Sequence, residues 1–255
     1  TFTCTVCDAT KTEPIVSGGH IGSFGDTCSR CSEKLNKFGT WPQTIKAASV
    51  TVTATGTKWG DLDLYTGSDG AQYVKATANK YGESKYSDGT DVTGDGYFKM
   101  EPIEWVVLET TSGKKKIVAS KILTANVPYY GDDTTTNTRT VGEISIYNSN
   151  YKYSNIRAYL NGTKNQYELD GGTPSAYDID WSGKGFYDLA FSAAEKLKIQ
   201  TTTVDNSPES TGDSSNQYAC PDTQDKVFLL SNKEAITASY GFVTDMSDSD
   251  TSRER

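Results

Sequence analysis

The apolar residues of this chain fall in short runs separated by long polar stretches, and the period of each run predicts its element. Tyr97–Glu109 is the most strand-like run. Gly113-Lys114 is a hairpin turn into its partner, Lys116–Ser120, whose apolar centre suits a buried strand. Val50, Val52 and Ala54 alternate with threonines as a strand, and Trp59–Tyr65 and Ala71–Ala76 are two more, joined by a turn at Gly67-Ser68-Asp69-Gly70. Residues 79–96 and 205–220 are polar and read as loops. Thr201–Val204 is a β-branched strand. Asp225–Ser231 reads as a buried one, because an apolar run like Val227–Leu230 belongs on strands covered on both faces.

Helical signals are shorter. Asn155–Gly162 reads as a helix stopped by Asn161-Gly162, and Lys233–Ala235 begins another. The rest of the chain is organised around Gly185–Val204. There Ser192 and Glu195 form a capping box, Phe186, Leu189, Ala190 and Phe191 make an apolar turn before it, and Leu197 and Ile199 supply the buried side. The box predicts a loss of about 1 kcal/mol for Ser192→Ala and less for Glu195→Ala. Strands, few short helices and long polar stretches read as a loop-rich, β-rich chain.

Charge and composition narrow the function. Among 255 residues, 25 are basic and 33 acidic, a net charge of -8 that argues against a nucleic-acid partner. No apolar run approaches the roughly 20 residues of a membrane span. Abundant Thr, Ser, Gly, Asn, Asp and Tyr suit an extracellular or cell-surface protein, and a start at Thr1 without Met suggests a processed or partial piece. The single histidine, His20, excludes a His pair, a multi-His metal site and any Ser–His triad that does not use it. With no nucleophile motif and no phosphate loop, the expectation is a protein that is not an enzyme.

The cysteines carry the clearest spacing. Cys4-x-x-Cys7 and Cys28-x-x-Cys31, twenty residues apart, form a ribbon signature in which four thiolates close a tetrahedron around a structural zinc. In a secreted chain the same thiols could instead be disulfides. A closed four-sulfur site leaves no position for substrate, and His20 either replaces a sulfur or lies in an exposed loop. Two modules are therefore expected, a zinc-ribbon-like 1–36 and a larger 37–255. Cys220 is a lone thiol or the partner of something missing.

Other candidates are weaker. Asp91-x-Thr93-x-Asp95-Gly96 has the opening of a calcium loop, but Pro102 stands where the closing acid belongs, so an Asp-Gly turn is the plainer reading. Asp61 with Asp63 and Asp178 with Asp180 are acidic pairs with no sign of convergence. Tyr147, Tyr151 and Tyr153 make either a recognition surface or packing beneath a loop.

Six blocks stand in order along the chain: Phe38-Gly39-Thr40-x-Pro42-Gln43-Thr44, Phe98-Lys99-x-Glu101-Pro102-Ile103-x-Trp105-x-Val107-Leu108, Ser154-Asn155-Ile156-Arg157-x-x-Leu160-Asn161-Gly162, Phe186-Tyr187-x-x-Ala190-Phe191, Thr202-x-Val204-Asp205-Asn206 and Asp225–Ser231. Taken together they resemble a bacterial domain family of unknown function, the DUF6273 type, found mostly in surface and secreted proteins of Firmicutes and spirochaetes. Phe2–Glu13 is similar to short modules in surface proteins of anaerobic gut and oral bacteria. The resemblance implies a mixed α+β, C-type-lectin-like domain with long loops after the small ribbon, distantly similar to formylglycine-generating enzymes and to variable receptor proteins of diversity-generating retroelements. Such domains mostly bind rather than transform.

The copper-binding cysteine pair of the formylglycine enzymes has no counterpart, since the larger module holds only Cys220. Family members continue into a Trp-rich segment and a closing strand, whereas this chain stops at Arg255. No ligand-binding residue therefore carries over, and Val227–Leu230 is expected to be completed by the protein's own missing C-terminal segment or by a neighbouring subunit. The implied function is ligand binding or adhesion toward a glycan or protein, with the ribbon as stalk. The alternative is a structural subunit of an extracellular assembly.

Overall fold

The structure, a computed structural model, describes the backbone of residues 2, 3, 10 and 11, and residues 22–78, 85–125, 127–129, 138–176, 178–212 and 218–241. The chain divides into two compact units, Thr1–Lys37 and Phe38–Arg255.

In the first unit, β1 (Phe2–Thr3) pairs antiparallel with β2 (Thr10–Lys11). Further along, Thr27 bridges Lys34, the Cys28 N–H donates to the Glu33 carbonyl at 2.7 Å, and the Ser32 N–H donates to the Cys28 carbonyl at 2.9 Å. This tight turn carries Cys28 and Cys31. Ser32 closes it at φ 61°, a left-handed conformation rare for a residue with a side chain.

The second unit is built on a six-stranded antiparallel sheet of β3 (Lys37–Ile45), β4 (Val52–Trp59), β5 (Leu62–Gly67), β6 (Gln72–Thr77), β7 (Asp95–Thr111) and β8 (Lys114–Ala119). Its order is β3-β7-β6-β5-β4, with β8 also on β7. Trp59 ends β4 instead of opening the next strand. It pairs with Leu62, and Gly60 at φ 57° makes with Asp61 the two-residue turn between them. The turn at Gly67–Gly70 forms as predicted, with Asp69 accepting from the Ala71 N–H and the Tyr73 hydroxyl.

The predicted loop gives up its last residues to β7, because Asp95 and Gly96 pair with Thr77 and Ala76. β7 pairs with three strands, β3, β6 and β8. Asp95–Lys99 pairs with β6 and Trp105–Thr111 with β8, and Pro102, which has no N–H to donate, lies between the two paired segments.

After the sheet come β9 (Thr138–Val141) and β10 (Ile144–Tyr147), a hairpin the pattern did not reveal, then a 3-10 turn at Tyr151–Tyr153. α1 (Asn155–Asn161) is capped by the Ser154 hydroxyl and ends at Gly162, φ 64°, as its Asn-Gly stop predicts. α2 (Gln166–Leu169), α3 (Phe186–Ala190) and α4 (Ala193–Lys196) follow, then β11 (Thr202–Val204), α5 (Pro208–Thr211), β12 (Thr223–Asp225), antiparallel to β11, and α6 (Asn232–Ala235).

Two expectations fail for identifiable reasons. The strand Asp225–Ser231 ends where it was to begin, and Leu229 is 43% exposed. Asn161 is the cause: its carboxamide oxygen accepts from the Lys226 and Val227 N–H groups and its Nδ2 donates to the Val227 carbonyl, occupying groups a sheet ladder would need. The two-faced strand on which the missing-neighbour argument rested is therefore not formed. Likewise Leu197 is not on a buried side. α4 is a single turn, and Leu197 just beyond it is 86% exposed.

The capping box does form, with the Ser192 hydroxyl accepting from the Glu195 N–H and the Glu195 carboxylate accepting from the Ser192 N–H. That carboxylate also accepts from the Gly39 N–H at 2.8 Å. Burial pushes the Glu195 carboxyl up, but the bonds from Ser192 and Gly39 outweigh it and hold it below the ordinary range. Its stabilising contribution is thus complete above that range and is lost as pH falls through the depressed value. The expected order of costs reverses. Ser192→Ala should lower stability by about 1 kcal/mol and Glu195→Ala by more, because the latter also strands a donor 156 residues away. Chemical denaturation of the two variants checks this, and a smaller loss for Glu195→Ala would show that the bond to Gly39 carries no weight.

Sheet and helices meet through aromatic rings. Trp41 packs on Phe186 at 4.8 Å between centroids, Phe186 on Phe191 at 5.7 Å, and Phe191 on Phe38 at 5.3 Å, while Val74 and Ile103 of the sheet are fully buried.

Candidate functional site

Between the sheet and the helices lies a cavity of about 220 Å³, lined by Trp41, Trp59, Asp61, Leu62, Tyr159, Trp181, Lys184 and Leu189. Trp41 comes from β3 and donates its indole N–H to the Leu123 carbonyl at 2.8 Å. Trp59, at the end of β4, donates to the Leu189 carbonyl at 3.1 Å. The two rings meet edge to face, 5.0 Å apart at 79°. Tyr159 of α1 and Trp181 form a second edge-to-face pair, 4.9 Å apart at 74°.

The rim follows from local turns. Gly60 lets the chain pass close to Leu189, since a Cβ there would stand 3.1 Å from both Leu189 methyls, and Asp61 beside it is exposed at the mouth. The Lys184 and Gly185 N–H groups both donate to the Trp181 carbonyl, and the Lys184 ammonium reaches over the Trp181 ring at 5.9 Å. The Trp181 indole N–H is buried and has no hydrogen-bond partner among the described residues. Burial raises the Tyr159 phenol, so it stays neutral. The cavity thus offers aromatic walls, with one acid and one base at the mouth.

Of the four predicted metal ligands, Cys28 is buried and Cys31 exposed on the turn described above, while Cys4 and Cys7, like His20, lie outside the described residues. Among the described residues no three or more His, Cys, Asp or Glu side chains converge as a metal site. The calcium-like loop has its acids otherwise engaged, with Asp91 paired to Lys85 and Asp95 accepting from the Thr77 hydroxyl at 2.6 Å.

Asp178 is a structural anchor. Only 1% exposed, it holds the Arg139 guanidinium at 2.9 Å and accepts from Asn165, while Asp180 faces solvent. Arg139 in turn stacks on Tyr167 at 3.9 Å. The tyrosines do not share a surface: Tyr151 is buried, Tyr153 packs against Tyr167, and Tyr147 is 41% exposed. Cys220 is half-buried, which pushes its thiol up and away from reactivity.

Sequence reasoning missed the cavity, although three of the four tryptophans of the chain line it. No helix among the described residues is long and apolar enough to cross a membrane. No curated protein and no solved structure matches this chain. Residues 112–253, from the β7–β8 turn onward and including α1, Trp181 and α3, match the family described as "Domain of unknown function (DUF6273)". That span is more than half of the sequence, and the chain belongs to this family.

Proposed function

We propose that this protein is a non-catalytic, extracellular or cell-surface ligand-binding or adhesion module of a bacterium, with a C-type-lectin-like larger unit. The observation that carries the reading is the aromatic cavity, whose walls are fixed by indole hydrogen bonds and whose mouth holds exposed charges but no nucleophile–base pair. The single histidine, the acidic charge and the Thr-, Ser- and Gly-rich composition support it. A structural zinc held by Cys4, Cys7, Cys28 and Cys31 belongs to the same proposal. The hairpin turn that presents Cys28 and Cys31 fits one half of such a site, and the metal would supply folding energy to a small unit, not chemistry.

The test is a glycan array, with immobilised extracellular proteins alongside, probed with the chain and with Asp61→Lys, a change confined to the exposed mouth. Binding to one ligand class, weakened at least about tenfold by Asp61→Lys, is the expected result. Retention on neither surface, or elution as a polymer in size-exclusion chromatography, would overturn the reading.

A further inference from the structure

We infer that the cavity seats one large apolar side chain, aromatic or branched aliphatic, of a peptide segment in a protein partner; this rests on the ligand-binding reading and names its partner class. The lining comes first. The indole N–H groups of Trp41 and Trp59 are given to the Leu123 and Leu189 carbonyls, and that of Trp181 is buried, so all three tryptophans present ring carbon to a guest. Leu62 and Leu189 add alkyl surface, which leaves the lining almost wholly apolar. A guest rich in hydroxyls, or a charged one, would shed water against these walls and gain no partner in return. An apolar group loses nothing there.

Size and access come next. An apolar cavity of about 150 Å³ holds benzene, and drug-sized ligands need roughly 300–1,000 Å³, so about 220 Å³ takes one ring or one branched alkyl group. Trp59, Leu62, Trp181 and Leu189 are only half-buried, so the hollow is open to a guest from solvent. A lipid surface would call for rings that stand out from the protein, whereas these line a hollow.

The mouth decides what carries the group. Asp61 and Lys184 are exposed there with opposite charges. An anionic carrier would meet Asp61, a cationic one would meet Lys184, and a free hydrocarbon would engage neither. A residue within a peptide is neutral and brings a backbone N–H on one side of its side chain and a C=O on the other. Its N–H suits the Asp61 carboxylate and its C=O the Lys184 ammonium. One apolar anchor seated in a pocket beneath a polar rim is how a few residues come to dominate a protein–protein interface.

The test is a random linear-peptide library displayed on phage and panned on the immobilised full chain. Enriched peptides should share one Phe, Trp, Tyr, Leu, Ile or Met position. A synthetic peptide of that consensus should bind in solution, and replacing its anchor by Ala should weaken it at least about tenfold. Followed by saturation-transfer NMR, toluene should displace this peptide and methyl glucoside should not. Leu62→Ala on β5 and Leu189→Ala on α3 each remove half-buried wall and should weaken the peptide about three- to tenfold, the second serving should the first fold poorly. Enrichment without a shared apolar position, or binding untouched by both wall variants, would overturn the inference. Toluene or methyl glucoside bound with no peptide selected would also overturn it and make the cavity a small-molecule site. If nothing is enriched and no solute binds, the inference falls, and the array decides separately whether the module binds at all.

Discussion

Asp225→Ala should cost about 3–5 kcal/mol, the expected penalty for leaving a buried charge without its partner. The Asp225 side chain is 1% exposed. It receives Arg157 Nε at 2.9 and 3.1 Å, Arg157 Nη2 at 2.8 Å and the Thr223 hydroxyl at 2.6 Å. Thr223 in turn accepts from Asn206, so the carboxylate anchors α1 to β12 and to the turn before α5. Without it the guanidinium, only 16% exposed, keeps one further bond, to the Lys152 carbonyl. Replacing both partners, Arg157→Met with Asp225→Leu, removes the unpaired charge and should recover most of the loss. Urea denaturation of the single and double variants measures both, and a single variant within about 0.5 kcal/mol of the parent would show that the pair is dispensable.

Removing the proposed zinc should unfold the Thr1–Lys37 unit outright. A unit of this size cannot bury enough apolar surface to fold alone, and the described strands β1 and β2 hold only two residues each. Structural zinc in small fingers supplies about 10–16 kcal/mol at neutral pH, enough to decide whether such a unit is folded. Cys28→Ser or a chelator is expected to abolish amide protection around Cys28–Glu33, with the Phe38–Arg255 unit as the internal reference. Acidification should do the same, because protons compete with the metal for thiolate. About one zinc per chain is the expected stoichiometry. Metal-free protein with its cysteines oxidised in pairs would replace the zinc by disulfides.

What could be read from the sequence was what short segments decide for themselves. The Ser192–Glu195 box, the Asn161-Gly162 stop and the β7–β8 hairpin each depend on residues a few positions apart, and each formed. Ser231 and Glu234 carry the same box signature, and they start α6 at Asn232, one residue before the predicted beginning. Val227–Leu230 was misread because its backbone partner, Asn161, is 66 residues distant and satisfies it by side chain. Asp178 looked like half of an acidic pair, and only the fold brings it Arg139. The cavity was illegible for the same reason, its walls coming from β3, the β4–β5 turn, α1, the segment around Trp181 and α3.

That dispersal also bears on the order in which the protein comes together. β4 through β8 pair with neighbours in sequence, so loop closure is short and these hairpins can nucleate early. The bond from Trp59 to Leu189 joins residues 130 apart and forms only when the helices settle on the sheet. The cavity comes into being at that late step and is lost first when the helices lift away. A solute lodged in it would therefore slow unfolding and leave the rate of hairpin formation unchanged, giving the occupied protein a longer lifetime without a faster birth.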